Sequence, residues 1–129
     1  MPALISNCGG DRDLVARVVH NLVYLIAEVS PGAKRGSTAP YGRAELMLIE
    51  AGDRQPRSLA AAFRTPVDND LDAAVAALGG HLKKLDEIYE TGEERRCFSL
   101  AGDMPRAERG SLRALAEWTA TQVKAAPDA

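Results

Sequence analysis

The chain has 129 residues, 46 % of them apolar and 26 % charged, with a formal net charge of −2. That balance belongs to a folded globular chain with room for a real core, and it excludes a disordered tail or a protein that binds polyanions through bulk charge. No apolar run approaches the ~18 residues that a membrane span requires. The start, Met1-Pro-Ala-Leu-Ile-Ser6, lacks the basic region and apolar run of a secretory leader. Cys8 and Cys97 make no disulfide framework, so the expected setting is a reducing cytoplasm. Charge is unevenly spread: residues 30–67 hold six Lys/Arg against three Asp/Glu, and residues 68–94 hold two against eight. One side facing an anion and one side repelling it is the reading this suggests; ordinary variation over a solvated surface is the plainer one.

Taken in order, residues 1–10 read as a short apolar lead (Leu4, Ile5) closed by Gly9-Gly10. Asp11 is placed to cap a helix and Asp13 to favour its dipole. Leu14, Val15, Val18, Val19, Leu22, Val23, Leu25, Ile26 and Val29 then keep a broad 3.6-residue period, which predicts a helix of roughly five turns. Ser30-Pro31-Gly32 stops it. So wide an apolar stripe has to be covered on more than one side, by a sheet or by a partner.

The following stretch, 29–43, carries Lys34, Arg35 and Arg43 and no acidic residue. Its Gly, Ser and Thr residues, among them Gly36 and Ser37, allow a ligand close to exposed N–H groups. Leu46-Met-Leu-Ile49 is a continuous apolar run that predicts a strand buried on both faces. Asp53-Arg-Gln-Pro56 is a turn, and Pro56 opens a short helix with Leu59, Ala62 and Phe63 on one side, ended by Thr65-Pro66. Asp68 or Asp70 caps the next helix, whose stripe of Leu71, Ala74, Val75, Leu78, Leu82, Leu85 and Tyr89 passes through Gly79-Gly80, a place for a bend. Cys97 to Leu100 is a second strand, with Glu93 to Arg96 leading into it. Residues 102–110 read as loop. Ser111 caps a last helix with Leu112, Leu115, Trp118 or Thr119, and Val123 inward, and 125–129 fray. One domain is expected, 1–129, in the order helix, strand, short helix, long helix, strand, helix. Two short strands do not make a stable sheet alone. Either the domain packs mainly through helices or another chain completes its sheet.

Little in this pattern carries chemistry. His20 and His81 sit on predicted helices without ligands at metal-binding spacing, and the cysteines read as small apolar packing. Asp68, Asp70 and Asp72 alternate like the start of a calcium loop, but the glycine and terminal glutamate are missing, so helix capping accounts for them. No nucleophile elbow, phosphate loop or dinucleotide fingerprint occurs. The expectation is a protein that is not an enzyme and holds no metal or cofactor. The basic residues remain. Lys34 and Arg35 could grip a phosphate backbone through charge and main-chain donors, with Arg54, Arg57 and Arg64 clustered past the following strand. Tyr41 is the only aromatic ring in the loop available for stacking, which favours backbone gripping over base reading.

At these residues the sequence resembles a known family. Ser30-Pro-Gly-Ala-Lys-Arg-Gly-Ser-Thr-Ala39, then Leu46-Met-Leu-Ile49, then Asp53-Arg-Gln-Pro-Arg-Ser-Leu-Ala-Ala-Ala-Phe-Arg-Thr-Pro-Val67 look like the C-terminal part of the repeated backbone subunit of Cascade, the type I-E CRISPR surveillance complex. The lead Leu4-Ile-Ser-Asn-Cys-Gly-Gly-Asp-Arg-Asp-Leu14 matches the leucine-rich Gly-Gly-Asp-Arg stretch of that family. The resemblance is carried by motifs over residues 4–67 and thins to an order of elements over 68–129. It implies an α+β fold, a partial RRM-like (ferredoxin-like) palm whose missing strands another polypeptide supplies. It also implies a scaffold that holds the backbone of a CRISPR RNA (crRNA) beside other Cascade subunits and meets target DNA only indirectly.

By position, Lys34 corresponds to the family's loop lysine and is the first choice for a phosphate contact. Arg35 and Gly36 stand where glutamine and asparagine are usual, and Thr38 replaces an aromatic residue. The resulting expectation is an RNA-binding set of Lys34, Arg35, Gly36, Ser37, Arg43, Arg54 and Arg57. The chain covers only the C-terminal portion of the family, which is consistent with a split subunit, an accessory or inhibitory mimic that docks into Cascade without touching RNA, or a fragment. A ribonuclease reading is weak, since neither histidine lies near the basic loop.

Overall fold

In the computed structural model, residues 1–29 and 42–127 are described; Lys34, Arg35, Gly36 and Ser37 lie outside them. The apolar lead is itself a helix, α1 (Pro2–Asn7), because Pro2 sits in the first turn, where a missing N–H costs nothing. Gly9 and Gly10 take φ of 68° and 81°, which only glycine adopts freely, and so turn the chain. Helix α2 (Arg12–Glu28) starts where expected, with the Asp11 carboxylate accepting from the Leu14 N–H at 3.0 Å.

The described residues divide into two compact units, one formed by Met1–Ala44 with Ser111–Ala129 and the other by Glu45–Gly110. In the first, α2 packs against α4 (Leu112–Ala125), which is capped by Ser111 as the sequence predicts. Val15, Ala16, Val19 and Val123 form its core, with Leu4, Ile5 and Cys8 packed against them. Leu115 and Ala116 are fully buried as well. Arg12 ties the two helices by donating to the Val123 and Ala126 carbonyls, and Lys124 pairs with Asp13 at 3.1 Å.

The apolar stripe of α2 is covered on one side only. Val15, Val19, Val23 and Ala27 are buried, whereas Leu14, Val18, Leu22, Leu25, Ile26 and Val29 form a second row from 37 % to 64 % exposed. The sequence analysis asks for two covers over α2, and the described residues supply one.

The second unit holds a three-stranded sheet in the order β1 (Leu46–Ala51), β2 (Glu94–Ser99), β3 (Glu108–Arg109). β1 and β2 run antiparallel, pairing Leu46 with Ser99, Leu48 with Cys97 and Glu50 with Arg95; β2 and β3 run parallel. β1 is not buried on both faces: Met47 alone is buried and its other residues are half-covered. β2 begins three residues earlier than expected, because Arg95, Cys97 and Ser99 alternate inward as one face. The 102–110 segment contains β3, and the short helix after Pro56 is a single 3₁₀ turn, Ala60–Phe63.

Helix α3 (Leu71–Tyr89) is capped by Asp70, and its Val75, Leu78 and Leu82 pack with Cys97 and Met104 beneath the sheet. It runs unbroken through Gly79, where a side chain would have to enter the ring of Pro105: a Cβ built there lies 2.7 Å from Pro105 Cδ. Glycine at 79 thus lets the 102–107 segment seat on the helix and drive Met104 into the core. Tyr89, expected on the inner stripe, is 59 % exposed, because the helix ends at Glu90 in a left-handed turn. Among the described residues no helix is long and apolar enough to cross a membrane.

Candidate nucleic-acid interface

The ends of the basic loop are held together. The Val29 N–H donates to the Leu25 carbonyl at 3.0 Å, and the Ala44 N–H donates to the Ala27 carbonyl at 2.8 Å. Val29 and Ala44, which flank the basic stretch, are therefore both tied to the last turns of α2. Arg43, at the return, is exposed.

Arg54 and Arg57 have different surroundings. Arg54 stands exposed in the turn after β1 and forms no ion pair with any described residue. Arg57 turns inward: its two terminal nitrogens lie 3.4 Å from Glu50 and 3.2 Å from Glu93, and its Nε is buried without a partner. Its charge is balanced inside the unit; of the predicted RNA-binding residues that are described, Arg43 and Arg54 are the exposed cations.

Arg57 is one end of a network that the sequence analysis missed. Arg95, at 5 % exposure in β2, makes two bonds of 2.6 Å to Asp86 on α3, while its Nε donates to Glu50 at 2.8 Å. The Thr91 hydroxyl also donates to Asp86, and Arg106 reaches the same carboxylate at 3.3 Å. The paired hydrogen bonds from Arg95 hold the Asp86 carboxyl well below the usual carboxylate range, against the raising effect of burial. The same bonds raise Arg95 above the usual guanidinium value. At Glu93 burial acts upward, and the local hydrogen bonds with the Arg57 charge outweigh it, so the net direction is down.

The network pins the end of α3 and both long strands together, and it consumes acidic charge. Two of the eight acidic residues in 68–94, Asp86 and Glu93, have side chains only 3 % and 7 % exposed. The acidic segment therefore repels less than its composition suggests. One signal was available: Arg95 lies two residues before Cys97, and period-2 alternation carried back from that cysteine places it inward.

Burial pushes the Cys97 thiol up, away from the reactive thiolate. His20 stacks beside Tyr24 with ring centroids 5.4 Å apart. Among the described residues no cluster of His, Cys, Asp or Glu can hold a metal ion.

A short three-stranded sheet with a helix beneath it, in a chain that also carries a packed helix pair, defines the class: an α+β chain carrying part of a ferredoxin-like palm. Residues 1–124 match the family of CT1975-like proteins, and the chain belongs to that family. Two solved chains show the fold. One is from a CRISPR RNA-guided surveillance complex, with a TM-score of 0.82 at 22 % identity; the match covers 91 % of this chain and 47 % of that one. The other is from a CRISPR RNA-guided surveillance complex described as pre-nicking, with the same TM-score and identity, covering 92 % of this chain and 34 % of the other. This chain thus spans about half the length of the first and a third of the second. A comparison with curated proteins gives no match.

Proposed function

We propose that the chain is a non-catalytic subunit, or part of one, of a type I-E Cascade, holding the crRNA backbone and packing against neighbouring subunits in cytoplasmic antiviral defence. The observation that carries this reading is that a member of the CT1975-like family has the fold of a surveillance-complex chain over nine-tenths of its own length. Two further features support a missing complement to the palm. Among the described residues β1 is paired on one side only, which leaves an open sheet edge. Among the described residues nothing covers the outer apolar row of α2, from Leu14 to Val29. A companion polypeptide carrying the rest of the palm would meet both needs.

In this reading Lys34 and Arg35 take the phosphate contact, with main-chain donors of Gly36 and Ser37, and Arg43 and Arg54 support it; Arg57 belongs to the set only as its inward member, paired with Glu50 and Glu93. Bases stay free to pair with target DNA, which the chain meets indirectly. The test is salt-dependent binding of a single-stranded RNA. Replacing Lys34 and Arg35 by alanine removes two phosphate contacts, so the slope of log affinity against log salt falls by about 1.4. Unchanged slope and unchanged assembly in the double variant refute the assignment.

The exposed row of α2 favours a second reading, a protein-interaction module that occupies its slot in Cascade without touching RNA, as accessory or inhibitory mimic. A co-purified complex with the absorbance ratio of pure protein supports this module over the RNA-binding subunit.

A further inference from the structure

A second cationic feature lies in the Glu45–Gly110 unit, away in sequence from the 29–43 loop. The 3₁₀ turn and α3 leave between them an open groove of about 410 Å³. Its α3 wall is one helical face, with Ala77, Gly80 with His81, and Lys84 on successive turns. Arg64, at the end of the 3₁₀ turn, forms the opposite wall. Arg64 and Lys84 are exposed, and neither side chain makes an ion pair or hydrogen bond with any described residue.

The remaining lining explains what the groove suits. It contains no carboxylate, and its other walls are small residues, four alanines and Gly80 with one threonine. At Gly80 an added Cβ meets nothing within 4 Å, so the floor is open there. Alanine and glycine offer no large apolar anchor pocket for a peptide side chain or a drug-like ligand. They do let a bulky anion come close to the helix between two exposed cations, one on each wall. A sugar–phosphate backbone has that shape and charge.

We propose that this groove is a phosphodiester-binding site, in which Arg64 and Lys84 pair with phosphate oxygens of a single strand and His81 adds a ring donor. The proposal rests on reading the chain as part of a ribonucleoprotein, but its residues are distinct from the loop residues assigned there.

The test measures fluorescence anisotropy of a labelled uridine RNA oligonucleotide and its thymidine DNA counterpart, from about 50 to about 300 mM salt. Arg64→Gln with Lys84→Gln is expected to weaken binding about tenfold near physiological salt and to lower the salt slope by about 1.4, the loss of two contacts. Loss on RNA alone identifies a guide strand as the source, loss on DNA alone a target or displaced strand, and equal loss a site blind to the sugar; each supports the groove. Lys83→Gln, exposed on α3 but outside the lining, is the charge-matched control for Lys84→Gln alone. Gly80→Glu places a carboxylate in the open floor without a steric conflict, and is expected to abolish the same contacts with an unchanged or raised melting midpoint.

The proposal is overturned if the double variant binds as the parent does, if Lys83→Gln costs as much as Lys84→Gln, if polyglutamate competes as well as RNA, or if the parent binds neither oligonucleotide. Failure of the loop reading is a separate result. Lys34→Ala with Arg35→Ala then binds normally while the groove variants do not, and the reverse pattern removes the groove and keeps the loop.

Discussion

Removing the Asp86 carboxylate tests how the sheet unit is held together. In Asp86→Ala, Arg95 loses both of its 2.6 Å bonds while its guanidinium stays at 5 % exposure. Breaking a buried pair by deleting one partner costs about 3–5 kcal/mol, because the other charge is left uncompensated. Arg95 keeps Glu50 at 2.8 Å, so the lower end applies, about 3 kcal/mol. That is a large share of the roughly 5–15 kcal/mol available to a domain of this size. Urea denaturation at neutral pH, followed by circular dichroism, reads the loss as a lower midpoint at constant slope. A cycle with Arg95→Met isolates the pair, with an expected coupling above about 1 kcal/mol. A loss below about 1 kcal/mol, or additive effects in the cycle, refutes the view that this pair fastens α3 to β2.

Three further outcomes follow from the same geometry. Asp86 is held below its unfolded value of about 3.9, so its contribution is fully present above that pH and is lost as pH falls from about 5 toward the depressed folded value; acid titration of stability in Asp86→Asn should lack this part of the acid limb. Gly79→Ala drives a Cβ into the Pro105 ring and should cost about 1–2 kcal/mol net of its helix-propensity gain, whereas Gly80→Ala, facing open space, should gain about 0.5–1 kcal/mol. Equal shifts at the two positions in thermal melts would contradict the packing of the 102–107 segment on α3. Arg57→Met leaves the Glu93 side chain, 7 % exposed, without its cation and should lower stability by about 1–3 kcal/mol, while exposed Arg54→Gln stays within about 0.5 kcal/mol.

The elements whose signals are local were legible in the sequence. Asp11, Asp70 and Ser111 cap the helices expected of them, and the 3.6-residue period of α2 and the apolar run at β1 lie where the pattern places them. These signals act within one or two turns, so neighbouring residues suffice to specify them. The motifs at 4–67 likewise pointed, by linear order alone, to a CRISPR surveillance complex, and chains of such complexes share this fold.

The tertiary structure decided the rest. Arg95 finds Asp86 nine residues away and Glu50 forty-five away, and Arg57 finds Glu93 thirty-six away, so strand alternation could turn Arg95 inward but no local pattern names the partners of these charges. β3 exists only because β2 lies beside it, and the groove at Arg64 and Lys84 exists only because the 3₁₀ turn packs on α3. The sequence marked α2 as apolar over a broad arc; only the packing of α4 showed which half the described residues cover and which half they leave exposed. Burial and charge pairing are properties of what the chain brings together at a distance, and for that reason composition along the chain could not settle them.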